Sequence, residues 1–282
     1  MGPTDTLDII DLETQHIPGA LLLSQEAHWN QIYSDWRMMM IAGNAIGMEA
    51  PDGRLVASAL SLPYGSEFGW ISMVLVTKDW QKKGLATRLL RTCMERLEEN
   101  GLVPVLDATP AGENVYRPLG FVPHFSFQRW EHDAVETINV RAAEGERFDA
   151  ARVQPVIDRD AAIFGGDRRP IIESLVARST EFSCLDKATN GFLLGRDGRV
   201  ASQIGPIFAD GEDCAGAMLD HALARVIGRV FIDVCDHQAG FADRLKEYGF
   251  TPQRSFLRMA KGRTESFGVP SSMFAMSGPE LG

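Results

Sequence analysis

The sequence predicts two tandem α/β (α+β) domains of one fold. Three observations carry this expectation: the length, a long-range repeat, and the same alternation of strand and helix signals in both halves. The chain has 282 residues. At roughly 100–200 residues per domain, that suits two domains better than one. The segment Gly120-Phe121-Val122-Pro123-His124-Phe125-Ser126-Phe127-Gln128-Arg129 reads against Gly249-Phe250-Thr251-Pro252-Gln253-Arg254-Ser255-Phe256-Leu257-Arg258, with six of ten positions identical. Upstream, Asp52-Gly53-Arg54-Leu55-Val56-Ala57-Ser58 reads against Asp197-Gly198-Arg199-Val200-Ala201-Ser202. Two matches in the same order predict a duplication, with copies at 1–133 and 134–282.

In the first copy, apolar-rich segments at 42–49 and 55–64 flank Pro51-Asp52-Gly53-Arg54, a hairpin signal. Trp70–Val76 reads as a further strand. A helix is expected from about Gly84 to Glu99, because Leu85, Leu89, Leu90, Cys93, Met94 and Leu97 share one face. Asn100-Gly101 stops it. A short strand at 103–107, a short helix at 113–119 and a strand at 124–131 follow. Residues 14–37 read as two helices broken near Trp29-Asn30. In the second copy, helices are expected at 148–163, 170–178, 213–226 and 240–247. Strands are expected at 191–195, 199–208, 229–235 and 254–260. The tail after Gly262 is rich in Gly, Ser and Pro, but its apolar Met273-Phe274-Ala275-Met276 predicts that it docks.

Composition narrows the class. Hydrophobic residues make up 45% and charged residues 23% of the chain, the profile of a folded globular protein. No apolar run approaches the ~18 residues of a membrane span. No basic segment followed by an apolar one opens the chain, so a cytoplasmic protein with no membrane partner is expected. Lys and Arg number 28 against 38 Asp and Glu, a net charge of −10. Nucleic acid is therefore not the expected partner, although a local basic pocket for one small anion is compatible with that charge. The four cysteines (Cys93, Cys184, Cys214 and Cys235) have no CxxC spacing and read as reduced, mostly buried thiols. No two glycines stand two positions apart, which excludes a dinucleotide fingerprint. P-loop, H-E-x-x-H and G-x-S-x-G motifs are absent too.

The chemistry concentrates in Val74-Leu75-Val76-Thr77-Lys78-Asp79-Trp80-Gln81-Lys82-Lys83-Gly84-Leu85-Ala86-Thr87. A strand runs into a polar turn and then into a helix that begins with small residues. Free N–H groups and the positive dipole end at a helix N-terminus favour an anion. Gly84 and Ala86 let a phosphate approach the backbone, and Lys78, Lys82, Lys83 and Arg88 add positive charge. The same residues also suit an ordinary strand–turn–helix junction with surface lysines. Downstream, Asn114-Val115-Tyr116-Arg117-Pro118-Leu119-Gly120-Phe121 reads as a short helix with a Gly stop, in which Tyr116 serves packing or chemistry.

The pattern Q-x-x-G-x-A at Gln81–Ala86, followed about 30 residues later by Y-x-x-x-G-F at Tyr116–Phe121, resembles the GNAT N-acetyltransferase superfamily. The resemblance covers residues 5–132 directly, and the repeat extends it to the second copy. The layout is similar to bacterial two-domain acetyltransferases with an active first domain and a degenerate second one. It implies a mixed, mostly antiparallel twisted sheet flanked by helices in each copy. It also implies acetyl-coenzyme A as co-substrate, with no metal. Met73, Val74 and Val76 would border the pantetheine arm. Gln81, Lys82, Lys83, Gly84, Leu85, Ala86 and Thr87 would surround the pyrophosphate, and Asn114 would contact the cofactor. Tyr116 would protonate the departing thiolate, a role suited to a phenol of pKa ~10.

An attacking amine must also lose a proton. Many members of this superfamily carry a Glu on the strand before the turn, whereas this chain reads Gly69-Trp70-Ile71-Ser72-Met73. Glu26, His28, Asp35, Asp107 or a water chain are the candidates, and each carboxylate or imidazole reads equally as a structural or surface group. Trp29 and Trp36 wall a pocket or belong to the core. The second copy departs from the pattern. It reads Ala209-Asp210-Gly211-Glu212-Asp213-Cys214-Ala215-Gly216 where Q-x-x-G-x-A would fall, and Leu245 where the Tyr would stand. Its acids would repel a pyrophosphate, so no coenzyme A binding is expected there. His221 and Asp236-His237 lack metal-ligand spacing. The expected activity is acetyl transfer to a primary amine of a small molecule. The alternatives are an acyl-coenzyme A sensor without turnover and a structural module. A homodimer is compatible with any of these.

Overall fold

The computed structural model describes residues 7–140, 146–147, 153–178, 181–186 and 191–282. By backbone contacts the chain divides into two compact units, Met1–Leu106 and Asp107–Gly282.

The first unit opens with β1 (Ile10–Asp11) and a 3₁₀ turn at Thr14–His16, then α1 (Ile17–Glu26) and α2 (Tyr33–Ala42). Trp36 Nε1 donates to Ser24 Oγ at 2.8 Å, and both residues are fully buried, which pins α2 to α1. Trp36 is therefore a core residue, not a pocket wall. β2 (Asn44–Glu49) and β3 (Leu55–Tyr64) form the expected hairpin. β4 (Phe68–Val76) adds to β3 in antiparallel fashion. α3 (Leu85–Glu99) crosses over to β5 (Val103–Ala108), which runs parallel to β4. The sheet order is β1-β2-β3-β4-β5. All six apolar residues predicted for the inner face of α3 are buried, each worth roughly 1.5–3 kcal/mol of transfer free energy at full burial. The helix lies close on the sheet: a Cβ on Gly69 would meet Leu97 Cδ2 at 2.3 Å.

The second unit begins at Asp107, in the last residues of β5, and its first helix is α4 (Pro110–Tyr116). It starts ahead of the expected position because Thr109 caps it, accepting from Gly112 N at 3.2 Å, with Pro110 at the first helical position. A 3₁₀ turn at Arg117–Leu119 and Gly120 lead into β6 (Phe121–His132). Then come β7 (Glu146–Arg147), α5 (Val153–Phe164), α6 (Arg169–Arg178), β8 (Cys184–Leu185), β9 (Phe192–Arg196) and β10 (Ser202–Phe208). α7 (Glu212–Leu223), β11 (Val230–Cys235), α8 (Ala239–Glu247), β12 (Thr251–Lys261) and β13 (Met273–Met276) complete it. Within this unit the strand order is β12-β6-β11-β13-β10-β9-β8-β7. The expected helix start at 148–152 falls outside the described residues. The tail does dock, as β13, inside this unit.

The sequence repeat acquires a structural meaning here. β6 and β12 carry its two copies and pair antiparallel. Phe127 and Phe256, the same position of the repeat, are register partners and stack with ring centroids 5.0 Å apart. Around that centre the repeat's Arg makes the same buried bidentate pair twice. Arg129 holds Asp233 at 2.7 Å through both Nε and Nη2, and Arg258 holds Asp107 at 3.0 Å through both. β6 has β11 and β12 as its two neighbours, so the last strand of the first repeat copy is enclosed by strands of the second. The division after Leu106 follows compactness, and the division after residue 133 follows the repeat.

Candidate functional site

Apart from Asn114, the predicted binding residues of the first copy lie on one continuous run, β4–turn–α3, in the first unit. β4 is not a regular strand. Met73 takes a left-handed φ of 52°, the register against β3 shifts at that point, and Ser58 Oγ donates to Met73 O at 2.9 Å. An L-residue in that region costs about 1–2 kcal/mol, so a buried hydrogen bond holding the bulge in place is the expected compensation. The parallel pairing with β5 covers only Phe68–Trp70 against Val103–Val105. Past Trp70, β4 pairs with β3 alone among the described residues. The outer half of β4 thus keeps one edge of backbone N–H and C=O groups for an extended ligand. Val74 and Val76 are half-buried along it, and Met73 and Leu75 are buried.

A cleft of about 170 Å³ opens at this end of β4, lined by Leu23 and Glu26 of α1, by Ala27 just after it, and by Val74, Leu75, Val76, Lys78 and Gln81. The eight-residue turn Thr77–Gly84 follows. Two side chains shape it. Glu26 accepts from Thr77 Oγ1 at 2.6 Å and from Lys78 N at 2.9 Å, and Gln81 Nε2 donates to Val76 O at 3.1 Å. The Thr77 hydrogen bond first, and the Lys78 backbone second, hold the Glu26 carboxyl below its usual value of 4.5. Glu26 is therefore an engaged carboxylate that braces the turn.

Lys82 (φ 59°) and Gly84 (φ 82°) both sit in the left-handed region, and Gly84 caps α3 without a side-chain hydrogen bond. A Cβ at Gly84 would meet nothing within 4 Å. Glycine is needed there for its backbone angle, and the space beside it is open. The N–H groups at the start of α3, at Leu85, Ala86 and Thr87, face an end that no side chain caps. Gln81, Lys82, Lys83 and Thr87 are exposed and Ala86 is half-buried. Lys83 Nζ rests 4.6 Å over the Trp80 ring, and Arg88 Nη2 donates to Leu7 O at 2.9 Å. Lys78 and Lys82 extend from the turn as exposed cations. The local balance is positive on a chain that is acidic overall, the requirement for an anion at a helix N-terminus.

Tyr116 and Asn114 lie on α4 in the second unit. Tyr116 is half-buried against Phe121, with centroids 5.9 Å apart. Among the described residues its hydroxyl has no hydrogen-bond partner. Burial raises its phenol above the ordinary 10, so it is held protonated at neutral pH. Asn114 is exposed.

Two of the other candidate bases are held in structural hydrogen bonds or ion pairs. Asp35 is fully buried, and its Oδ2 accepts from Ile32 N at 2.8 Å at the start of α2. Asp107 is paired with Arg258, and burial pushes it up to about 6. His28 is exposed, with a left-handed φ of 58° at the end of α1. Sequence reasoning missed the Met73 bulge and its Ser58 anchor, which carry no residue-level signal. It also missed Ser72 Oγ on β4 and Gln31 Oε1 in the α1–α2 connection, both buried and without a hydrogen-bond partner among the described residues.

The second copy has none of this turn. Between β10 and α7 stand three residues, Ala209–Gly211. Asp210 pairs with Arg159, and Glu212 and Asp213 occupy the first turn of α7. Leu245 is fully buried in the apolar core of this unit, beside Phe241 and Phe250. His237 faces Pro270 O at 2.8 Å. Among the described residues no group of three or more His, Cys, Asp or Glu has the arrangement of a metal site. No described helix is long and apolar enough to cross a membrane.

Comparison with known proteins finds a family match in each half of the chain. Residues 20–121 match the model of the acetyltransferase (GNAT) family, and residues 156–274 match a second acetyltransferase (GNAT) domain model. An uncharacterized N-acetyltransferase of Bacillus subtilis, YitH, is 26% identical over 86% of this chain and 87% of its own length. Holothin acyltransferase of a Pseudoalteromonas species is 25% identical over 80% of this chain and 78% of its own. Among solved structures, a putative acetyltransferase from Pyrococcus horikoshii superposes with a TM-score of 0.84 at 18% identity, covering 98% of this chain and 96% of that one. That likeness is one of fold.

Proposed function

Because this chain belongs to the GNAT acetyltransferases in both of its halves and is an acyltransferase of that class, we propose that it moves an acetyl group from acetyl-coenzyme A to a primary amine of a small molecule, at its first copy. The observation that carries the reading is the Thr77–Gly84 turn, where a left-handed Gly84 opens an uncapped helix N-terminus beside exposed lysines. The pyrophosphate binds there, on the N–H groups of Leu85, Ala86 and Thr87. The pantetheine arm lies along the free edge of β4 at Met73, Val74 and Val76, and its amides take up strand-type hydrogen bonds.

In the reaction the amine lone pair attacks the thioester carbonyl carbon, and the C–S bond breaks as the tetrahedral intermediate collapses. Tyr116 gives its proton to the leaving sulfur, a transfer that suits a phenol kept protonated by burial. The proton shed by the amine goes to water. Holothin acyltransferase is named for an acyl group rather than acetyl, so longer acyl-coenzyme A thioesters belong in the same assay. The test is thiol release from acetyl-coenzyme A with a panel of small amines. Release that depends on an amine supports the reading, and binding without release from any amine removes it.

A second reading, an acyl-coenzyme A sensor without turnover, rests on one observation. The strand before the turn carries no acid over Gly69–Met73 to take the proton of an attacking amine. Binding with no turnover for any amine would favour it.

A further inference from the structure

We infer that the second copy is a strand-binding site whose ligand is the chain's own segment Met273–Met276, seated in the gap that the first copy keeps open, so that the protein takes one acyl-coenzyme A per chain. The stoichiometry rests on the proposed function of the first copy, and the strand site does not.

The two gaps are built alike. In the first copy β4 and β5 run parallel for three register pairs and then part. In the second, β10 and β11 run parallel for three pairs, Ser202–Ile204 against Val230–Ile232, and then part. β10 is irregular just past that point: the register against β9 shifts between Ile204 and Ile207. β13 enters where the strands separate, antiparallel to both. Its Ala275 and Met273 pair with Ile207 and Phe208 of β10, and its Met276 and Ala275 pair with Asp233 and Val234 of β11. A parted strand pair leaves two edges of backbone polar groups, which a buried site cannot leave unsatisfied. β13 answers both edges at once.

The fit is close and apolar. Met273, Phe274, Ala275 and Met276 are all at most 3% exposed. A Cβ at Gly205 would lie 2.0 Å from Met276 O, so the absence of a side chain on β10 is what lets the inserted backbone pass. Both flanks are tied down. Before β13, Val269 N donates to Ile163 O at 2.8 Å, Ala209 N donates to Ser272 O at 3.1 Å, and Gln238 Nε2 donates to Ser271 O at 2.9 Å. After it, Glu280 pairs with the buried Arg196, and Arg168 Nη1 donates to Leu281 O at 3.1 Å and Gly282 O at 2.6 Å. The ligand this site recognises is therefore an extended apolar peptide held by its backbone. The place for a pantetheine arm is filled, and the acids in and beside the three-residue turn, Asp210, Glu212 and Asp213, repel a pyrophosphate.

The full-length protein tests this without truncation, by calorimetry and by hydrogen exchange at single-amide resolution. Acetyl-coenzyme A should titrate to one site per chain, and Gly84→Glu should remove it. The amides of Ala275, Met276, Ile207 and Val234 should exchange as slowly as the core of their unit, with the same protection at saturating acetyl-coenzyme A. A binding event that survives Gly84→Glu would overturn the inference. So would tail amides that exchange at unstructured rates, or that lose protection when acetyl-coenzyme A is added. No binding at all, with the tail amides still protected, would sink the proposed function and leave the strand site standing.

Discussion

The two copies agree where they hold the fold together and differ where the first one would bind. Each ends in a strand bearing the same Arg, and each Arg meets a buried Asp in the same bidentate geometry. Between the strand that parts from its neighbour and the next helix, the first copy has eight residues with exposed lysines, and the second has three flanked by acids. The first gap has a free strand edge, and the second is filled by β13. Duplication thus preserved the packing devices, which both copies need. The devices proposed for binding are present in the first copy alone, and the second gap is filled by β13.

The shared devices are where the largest effect on stability is expected. Arg129→Met and Arg258→Met each leave a buried carboxylate without its partner, at a cost of about 3–5 kcal/mol. Denaturant melts should show similar losses for both variants, and a negligible loss for either would mean that the pairs are not equivalent. Burial already pushes Asp107 up to about 6, and losing Arg258 raises it further. The folded Arg258→Met protein then binds a proton that the unfolded chain, with an ordinary Asp, has released. Its stability is therefore full below about pH 4 and falls as pH rises through the folded value. A variant more stable at pH 8 than at pH 5 would contradict this.

The next effect separates the two turns. Gly84→Glu places a carboxylate at the proposed pyrophosphate site and forces a bulky residue into the left-handed region, at about 1–2 kcal/mol of stability. Acetyl-coenzyme A affinity should fall at least about a hundredfold, or 2.7 kcal/mol. Gly211→Glu is the matched control. Gly211 is extended, and a Cβ there meets nothing within 4 Å, so affinity should stay at the wild-type value. Equal effects of the two substitutions would erase the distinction between the turns.

A smaller effect concerns chemistry alone. Tyr116→Phe keeps the ring against Phe121 and removes the proton. Turnover should fall by about a hundredfold while acetyl-coenzyme A affinity is kept. The second copy has the buried Leu245 in the corresponding place and supplies no substitute. Unchanged turnover would take Tyr116 out of the mechanism.

Much of this contrast was legible in the residues. The face of α3, the hairpin at Pro51–Arg54 and the apolar Met273–Met276 all followed from periodicity and turn chemistry. The acids at 210–213 already marked the second turn as unlike the first. The rest depends on partners far apart in sequence. Nothing about Met73 announces a left-handed bulge, which exists because Ser58 reaches its carbonyl from the neighbouring strand. The repeat was visible, but its two strands pairing face to face was not, because register is a property of the sheet and not of either strand. Trp36 and Asp35 looked available because burial cannot be read from a short segment.

The finest distinction lies in how each turn begins. In the first copy the backbone at Lys78 is held by the Glu26 carboxylate, and in the second the backbone at Ala209 is held by the Ser272 carbonyl. Only the first of these holds titrates. The hydrogen bonds that lower the Glu26 pKa stabilise the ionised form. Their contribution is complete above the ordinary value of 4.5 and is lost as pH falls through the lowered folded value. The group is partly solvated, so the effect stays below about 1 kcal/mol. Exchange of the Lys78 amide, corrected for intrinsic rate, should therefore quicken as pH falls from about 5 to 3, while that of Ala209 stays level. Glu26→Gln should leave the Lys78 amide quick to exchange at every pH, without the titration. A pH-dependent Lys78 in that variant would show that another group braces the turn, and the difference between the copies would then lie in the lysines and the left-handed glycine alone.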